Sequence, residues 1–346
     1  MLFFLPYIII TLKERDCQMK KNSLLYKCIT LALMFGLAAS VFTGCGGNGL
    51  EDGVADVTPM EYAEIADEAV ALADAPAAEV TEYKTEASGI KVKEALKGVI
   101  DYSNTADGYV MVKYLKKTDK AIKAQVKGPK NTYTYNVTAE KWETFPLTDG
   151  DGTYQVVLLE NVTSNKYAIV VNTSFKAELK DEFGPFLRSN QYVNYADAPE
   201  TVKKAAALTK KVKNPLKKVE KVYNYVVKNY TYDKQKAKNV KSGYVPDLDK
   251  VLKAKKGICF DYASTMAGML RSQGVPCKLV IGYAGEAYHA WISVYVEGEG
   301  WVEGVIYFNG TSWERMDPTF ASSSKESKAI MKYIGNGKNY TAKYFY

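Results

Sequence analysis

Long hydrophobic runs are scarce in this 346-residue chain: the stretch from Cys28 to Phe42 is too short to span a bilayer comfortably as a helix, which excludes a multi-span membrane protein. Disorder is excluded as well, because 47% of the residues are hydrophobic and 25% charged, the balance of a folded protein long enough for two domains. Histidine occurs once, at His289, so a base that titrates near neutral pH without help has a single candidate. Cysteine occurs five times, but only Cys45, Cys259 and Cys277 lie beyond residue 44. Basic residues are missing altogether from Cys45 to Tyr83, where ten acidic ones stand, although the whole chain carries a net charge of +7. Tyrosine, by contrast, is abundant at 27 residues.

What is present begins with Lys20 and Lys21, which precede the Cys28–Phe42 run and its Thr43-Gly44-Cys45 ending. That is the layout of a signal peptide. Phe42-Thr43-Gly44-Cys45 resembles a bacterial lipobox, which implies cleavage before Cys45 and a lipid on its sulfur. Signal cleavage after a small residue is the plainer alternative. Residues 1–18 stand upstream of this layout, which predicts a true start at Met19. The expected mature protein is extracytoplasmic and lipid-anchored to the cell membrane through Cys45, with residues 45–88 as an acidic linker. Thr58-Pro59-Met60-Glu61 has capping-box spacing and could start a short helix there. The basic remainder would be attracted to anionic envelope components, or is simply a solvated Lys-rich surface. No nucleic-acid partner is expected.

From Ile90 to Leu179 the hydrophobic pattern has period two, in Tyr109–Tyr114, Thr132–Val137, Tyr154–Leu159 and Tyr167–Val171. Turn-forming pieces, Lys127-Gly128-Pro129-Lys130-Asn131 and Asp149-Gly150-Asp151-Gly152, separate these strands. We expect an Ig-like β-sandwich over residues 89–183, acting as a spacer or binding module.

From about Thr201 the period becomes helical. Asn214 is an N-cap candidate with Pro215 behind it, and Leu216, Val219, Val222, Val226 and Tyr230 share one face. Asp247 caps a shorter helix that runs out at Lys255-Lys256-Gly257. Gly257-Ile258-Cys259 then opens a third helix, with Tyr262, Met266, Met269 and Leu270 as its core stripe and Gly274 closing it. At a helix N-terminus the unpaired N–H groups and the positive end of the dipole favour a thiolate, as a nucleophile requires. A small buried core residue would also fit Cys259. His289 heads the alternating strand Trp291–Val296, one strand after the Cys helix, so the chain order could return its imidazole to the helix start; a lone histidine is also often merely tolerated. Asp317 follows in Met316-Asp317-Pro318, where it could orient an imidazole or simply form a turn.

Gly257-x-Cys259-x-Asp261-x-Ala263, His289-Ala290-Trp291 and Asp317-Pro318-Thr319, in this order, resemble the transglutaminase-like superfamily over roughly Thr201–Phe320. The resemblance implies an α+β papain-like domain, residues 184–346, following the sandwich. It assigns Cys259 as nucleophile, His289 as base and Asp317 as orienter, with Asp261, Tyr283 and Trp291 as supporting residues. It implies acyl transfer on protein or peptide amides through a thioester, resolved by an amine or by water. The Cys259 N–H is the natural oxyanion donor, with Tyr244 a candidate for the second. Neither metal nor cofactor is expected. A non-catalytic surface binding or assembly module is the alternative. Cys277 reads as a core residue, although a bond to Cys259 would make a redox switch.

Overall fold

A computed structural model describes residues 83–297, 300–302 and 340–346, and the backbone of 9–11, 306–308 and 313–315. The expected signal segment apart from 9–11, Cys45 and most of the expected acidic linker lie outside the described residues. So does Asp317. The chain is mixed α and β, and among the described residues no helix is long and apolar enough to cross a membrane.

The first half contains two antiparallel sheets. One runs β1 (Val92–Ala95), β2 (Gly98–Asp101), β3 (Tyr109–Tyr114) and β6 (Glu143–Pro146). The other contains β4 (Ile122–Lys127), β5 (Thr132–Asn136), β7 (Gly152–Thr163) and β8 (Lys166–Ala177), in the order β8-β7-β4-β5. All four strands expected from alternation are present, and β7 and β8 are far longer than their alternating cores. Alternation works because each sheet buries one face: Tyr133 and Tyr135 of β5 are buried between exposed Thr132, Thr134 and Asn136. Ile100, Val110, Val112, Val126, Val156 and Leu158 fill the space between the sheets, each side chain contributing roughly 1.5–3 kcal/mol on burial. Residues 86 and 89 are already tied to this body, through Tyr109 and Asp101.

One buried carboxylate braces this half of the chain. Glu160 on β7 accepts from Lys97 Nζ at 2.8 Å, Lys120 Nζ at 2.9 Å and the Tyr114 hydroxyl at 3.0 Å. Burial alone would raise its pKa, but these three donors outweigh it and bring the carboxyl down to about 2. A folded-state pKa below the unfolded value of 4.5 means stability present above that pH and lost as pH falls toward 2. Melting temperatures of wild type and Glu160→Gln should therefore differ at pH 7 and converge by about pH 2 to 3. A difference that stays constant with pH would show that the carboxylate charge contributes nothing.

After β8 come α1 (Gly184–Leu187), α2 (Pro199–Leu208) and α3 (Pro215–Asn229). Asn214 caps α3 as its position suggested, its side chain accepting from the N–H groups of Leu216 and Lys217. Val219, Val222, Val226 and Tyr230 are buried, and Leu216 packs against the core only in part. Then follow α4 (Lys234–Asn239), α5 (Leu248–Ala254), capped by Asp247, and α6 (Cys259–Arg271). The α5 helix ends where Lys255 turns left-handed at φ 48°.

A third antiparallel sheet covers α6, in the order β11 (Gly300–Val302), β10 (Ala287–Val296), β9 (Cys277–Ala284) and β14 (Tyr340–Phe345). Gly300–Val302 pairs with β10, whereas β12 (Ile306–Phe308) pairs with β13 (Trp313–Arg315). The hydrophobic core is continuous through both halves. Tyr133 and Tyr135 of β5 meet the ring of Tyr346 edge-on at 5.5 and 5.8 Å, and Tyr192 packs on Tyr135, Tyr346 and Phe260. Four tyrosines form this seam, which reaches Phe260 at the start of α6.

Candidate active site

The first turn of α6 is built by close approach. Ile258, the N-cap, is extended at φ −100° and ψ 176°, and its side chain offers nothing to the helix. Its backbone N–H instead donates to Asp261 Oδ2 at 2.8 Å, the reverse half of a capping box. Glycine is needed at 257 because a Cβ there would lie 2.6 Å from the Asp261 Cβ. Cys259, the first helical residue, is only partly buried, while every residue from Asp261 to Arg271 is buried. A helix this enclosed, packed between α2, α3 and α5 on one side and β9 and β10 on the other, holds its N-terminus rigidly.

Asp261 is fully buried and receives two further donors, Lys236 Nζ at 2.6 Å and the Tyr244 hydroxyl at 2.5 Å. The Lys236 ammonium also stands 4.2 Å from the Tyr244 ring centroid. Burial and the hydrogen bond to Asp261 hold the Tyr244 phenol well above its ordinary pKa, so it is a committed donor. That commitment corrects the expectation of Tyr244 as an oxyanion donor: its hydroxyl proton points at a carboxylate. Outside this network lies an open cavity of about 410 Å³, lined by Lys236, Asn239, Val240, Lys241, Ser242, Gly243 and Tyr244.

His289 enters from β10, where it pairs with Gly282 of β9 and is 7% exposed. Its ring lies 6.3 Å from Trp291, nearly parallel, and 6.5 Å from Tyr340. Trp291 is buried and meets Tyr340 edge-on at 5.2 Å, so indole and phenol wall the imidazole. Gly282 permits this, because a Cβ there would collide with the Thr341 carbonyl and approach the Trp291 ring to 2.9 Å. Strand alternation gives Tyr288 the other face. There its ring packs on Tyr283 at 5.5 Å, and its phenol is pushed up by burial, with smaller contributions from Tyr344, Tyr283 and Cys259. Tyr283, expected as supporting, serves that aromatic pair, with Lys343 4.7 Å over its ring.

Cys259 and Asp261 thus stand at the start of α6, His289 and Trp291 share one face of β10, and Tyr288 on its other face pairs with Tyr283 of β9. Lys236 escaped the sequence reading: it stands among Lys234, Lys238 and Lys241, and no pattern distinguishes it from these. Among the described residues no group of three or more His, Cys, Asp or Glu side chains converges as a metal would require.

Cys277 belongs elsewhere. Its main-chain carbonyl accepts from Arg271 Nε at 2.9 Å, at the far end of α6. Thirteen helical residues separate that end from Cys259 by about 18 Å, far beyond disulfide reach. Burial pushes the Cys277 thiol up to about 12, against a partial pull from Arg271. Native protein treated with iodoacetamide at pH 8 should carry the label on Cys259 and gain it on Cys277 only in denaturant, by peptide mapping. Equal labelling of both without denaturant would contradict this burial.

Residues 202–304 match the model of the Transglutaminase-like superfamily, and the chain carries a transglutaminase-like domain there. Among curated proteins it is similar to "Uncharacterized protein YebA" of Bacillus subtilis, 25% identical over 204 residues that cover 52% of this chain and 27% of that one. It is also similar to "UPF0252 protein MJ1282" of Methanocaldococcus jannaschii, 26% identical over 171 residues, 43% of this chain and 47% of that one. The matches thus span less than half the length of either relative. Similar solved structures include a putative cysteine protease from Cytophaga hutchinsonii, at 15% identity and TM-score 0.35, covering 72% of this chain and 77% of that one. Another is the periplasmic domain of TgpA from Pseudomonas aeruginosa, at 14% identity and TM-score 0.32, covering 72% and 84%.

Proposed function

From a transglutaminase-like domain at residues 202–304, we propose that the chain is a cysteine acyl-transfer enzyme acting on protein or peptide amides. The observation that carries this reading is the start of α6. A partly exposed Cys259 heads a helix buried from Asp261 to Arg271, with a strand bearing the sole histidine laid against it.

In the proposed reaction His289 takes the Cys259 proton and the thiolate attacks a carboxamide or peptide carbonyl. The backbone N–H of Cys259 donates to the oxyanion that forms. Collapse breaks the C–N bond, His289 returns the proton to the departing ammonia or amine, and a thioester remains on Cys259. An amine or water then attacks that thioester, giving a new amide or an acid and regenerating the thiol. Asp317 is assigned the orienting role and the enclosing Trp291 ring the exclusion of water. The β-half is read as an Ig-like sandwich holding this domain away from a membrane to which Cys45 is lipid-linked, with a protein, peptide or envelope component as substrate.

The test is incubation of the purified full chain with glutamine-containing peptides and a biotinylated primary amine. Mass spectrometry should find biotinylated or deamidated peptide, and in quenched samples an acyl adduct on Cys259. Absence of every one of these products over a broad peptide set, with peptide binding retained, would leave the non-catalytic binding module instead.

A further inference from the structure

Asp261 presents an electrostatic problem to any reactive thiol at Cys259. A buried carboxylate two residues along would disfavour a second negative charge at the helix start. Its burial is complete, so solvent does little to screen it. Three donors meet it, but Ile258 N–H and the Tyr244 hydroxyl are neutral; Lys236 alone brings a charge, at 2.6 Å. We propose that Lys236 is a positioning residue for the acyl-transfer site, its ammonium cancelling the Asp261 charge so that Cys259 feels the helix N-terminus rather than a neighbouring anion.

This rests on the reading of Cys259 as the nucleophile. It adds a residue that touches neither substrate nor thiol and that belongs to none of the three motifs. Among the described residues, titratable groups near this helix start come from several elements. Asp261 comes from α6 itself, Lys236 from α4, Tyr244 from the loop after α4, and Tyr288 and His289 from β10. The aromatic seam contributes Tyr192, which contacts Phe260. Of these, Lys236 and Asp261 form one ion pair, and beside Gly257 a second pair, Lys256 with Asp233 at 3.5 Å, is likewise matched. With the Asp261 charge matched, the helix dipole acts on Cys259.

The experiment is the rate of Cys259 alkylation by iodoacetamide from pH 5 to 9, with circular dichroism verifying the fold of each variant. Lys236→Met should slow labelling at pH 6.5 roughly tenfold and move the whole profile to higher pH. Lys236→Arg should restore the wild-type profile. Asp261→Asn, which keeps the cation and removes the anion, should shift it to lower pH. The double variant Lys236→Met/Asp261→Asn, with both charges gone, should return close to wild type. If Lys236→Met does not fold, the opposite shift of Asp261→Asn and the return of the double variant carry the test. Profiles of Lys236→Met and Asp261→Asn that superimpose on wild type would overturn the proposal. So would a double variant that stays as slow as Lys236→Met, since lost shape and not lost charge would then be the cause. A wild-type thiol that itself labels like free cysteine overturns instead the reading of Cys259 as nucleophile, so the two failures are distinguishable.

Discussion

Cys259→Ala is expected to abolish the acyl adduct and all amine incorporation, while His289→Ala keeps the thiol and loses about 10²–10⁴ in acylation rate, the usual contribution of a positioned general base. Both variants should fold. Cys259 stands at a helix end whose stability comes from the eleven buried residues after it, and alanine is a good helix former. His289 is 7% exposed between Trp291 and Tyr340, so its loss leaves a small gap in an aromatic wall rather than a hole in the central core. Melting curves close to wild type, read beside the rates, would assign the loss to chemistry. A His289→Ala enzyme within threefold of wild type would remove the imidazole from the mechanism. Residual adduct in Cys259→Ala would point to another nucleophile, and the buried Cys277 then becomes the residue to map.

The second large effect is on stability. Arg271→Leu should lower it by at least ~3 kcal/mol, since buried acceptors left unmatched cost about 1–3 kcal/mol each. Arg271 is fully buried at the end of α6 and donates to three main-chain carbonyls: Cys277 at 2.9 Å, Arg188 at 2.8 Å and Tyr346 at 2.5 Å. Those acceptors belong to β9, the segment after α1, and the end of β14, so one guanidinium fork joins three parts of the fold. Burial lowers its pKa to about 10, still high enough to hold the charge at neutral pH. For a body of this size the loss corresponds to a fall of about 6–12 °C in Tm. Arg271→Lys, which keeps the charge but not the fork, should lie between. A Leu variant melting within 2 °C of wild type would show that the three carbonyls find other donors.

Legibility in the sequence followed how local each cause is. The Asn214 and Asp247 caps were readable because a cap is a contact between residues two or three apart. The long alternating strands were readable because one face of each sheet is buried. Short strands such as Val92–Ala95, Gly98–Asp101 and Glu143–Pro146 were not, since four residues carry too little pattern. Lys234–Asn239 was missed as a helix because Lys-Gln-Lys-Ala-Lys-Asn has no apolar stripe; Asp233 caps it from outside.

By itself the sequence determined which chemistry is available: one thiol at a helix start, one imidazole in the whole chain, and the order in which they arrive. Residue type and helix-start position are local properties, written in the chain at Gly257-Ile258-Cys259 and at His289. Tertiary structure decided what surrounds them. It sent Tyr244 to Asp261 instead of to an oxyanion and set Cys277 a helix length from Cys259. Strand parity set His289 and Tyr288 on opposite faces of β10, and one lysine out of four became the partly buried counter-charge of Asp261. These outcomes depend on distances between segments 15 to 30 residues apart, and no sequence pattern encodes such distances; only the packing of α4, α6 and β10 against one another sets them.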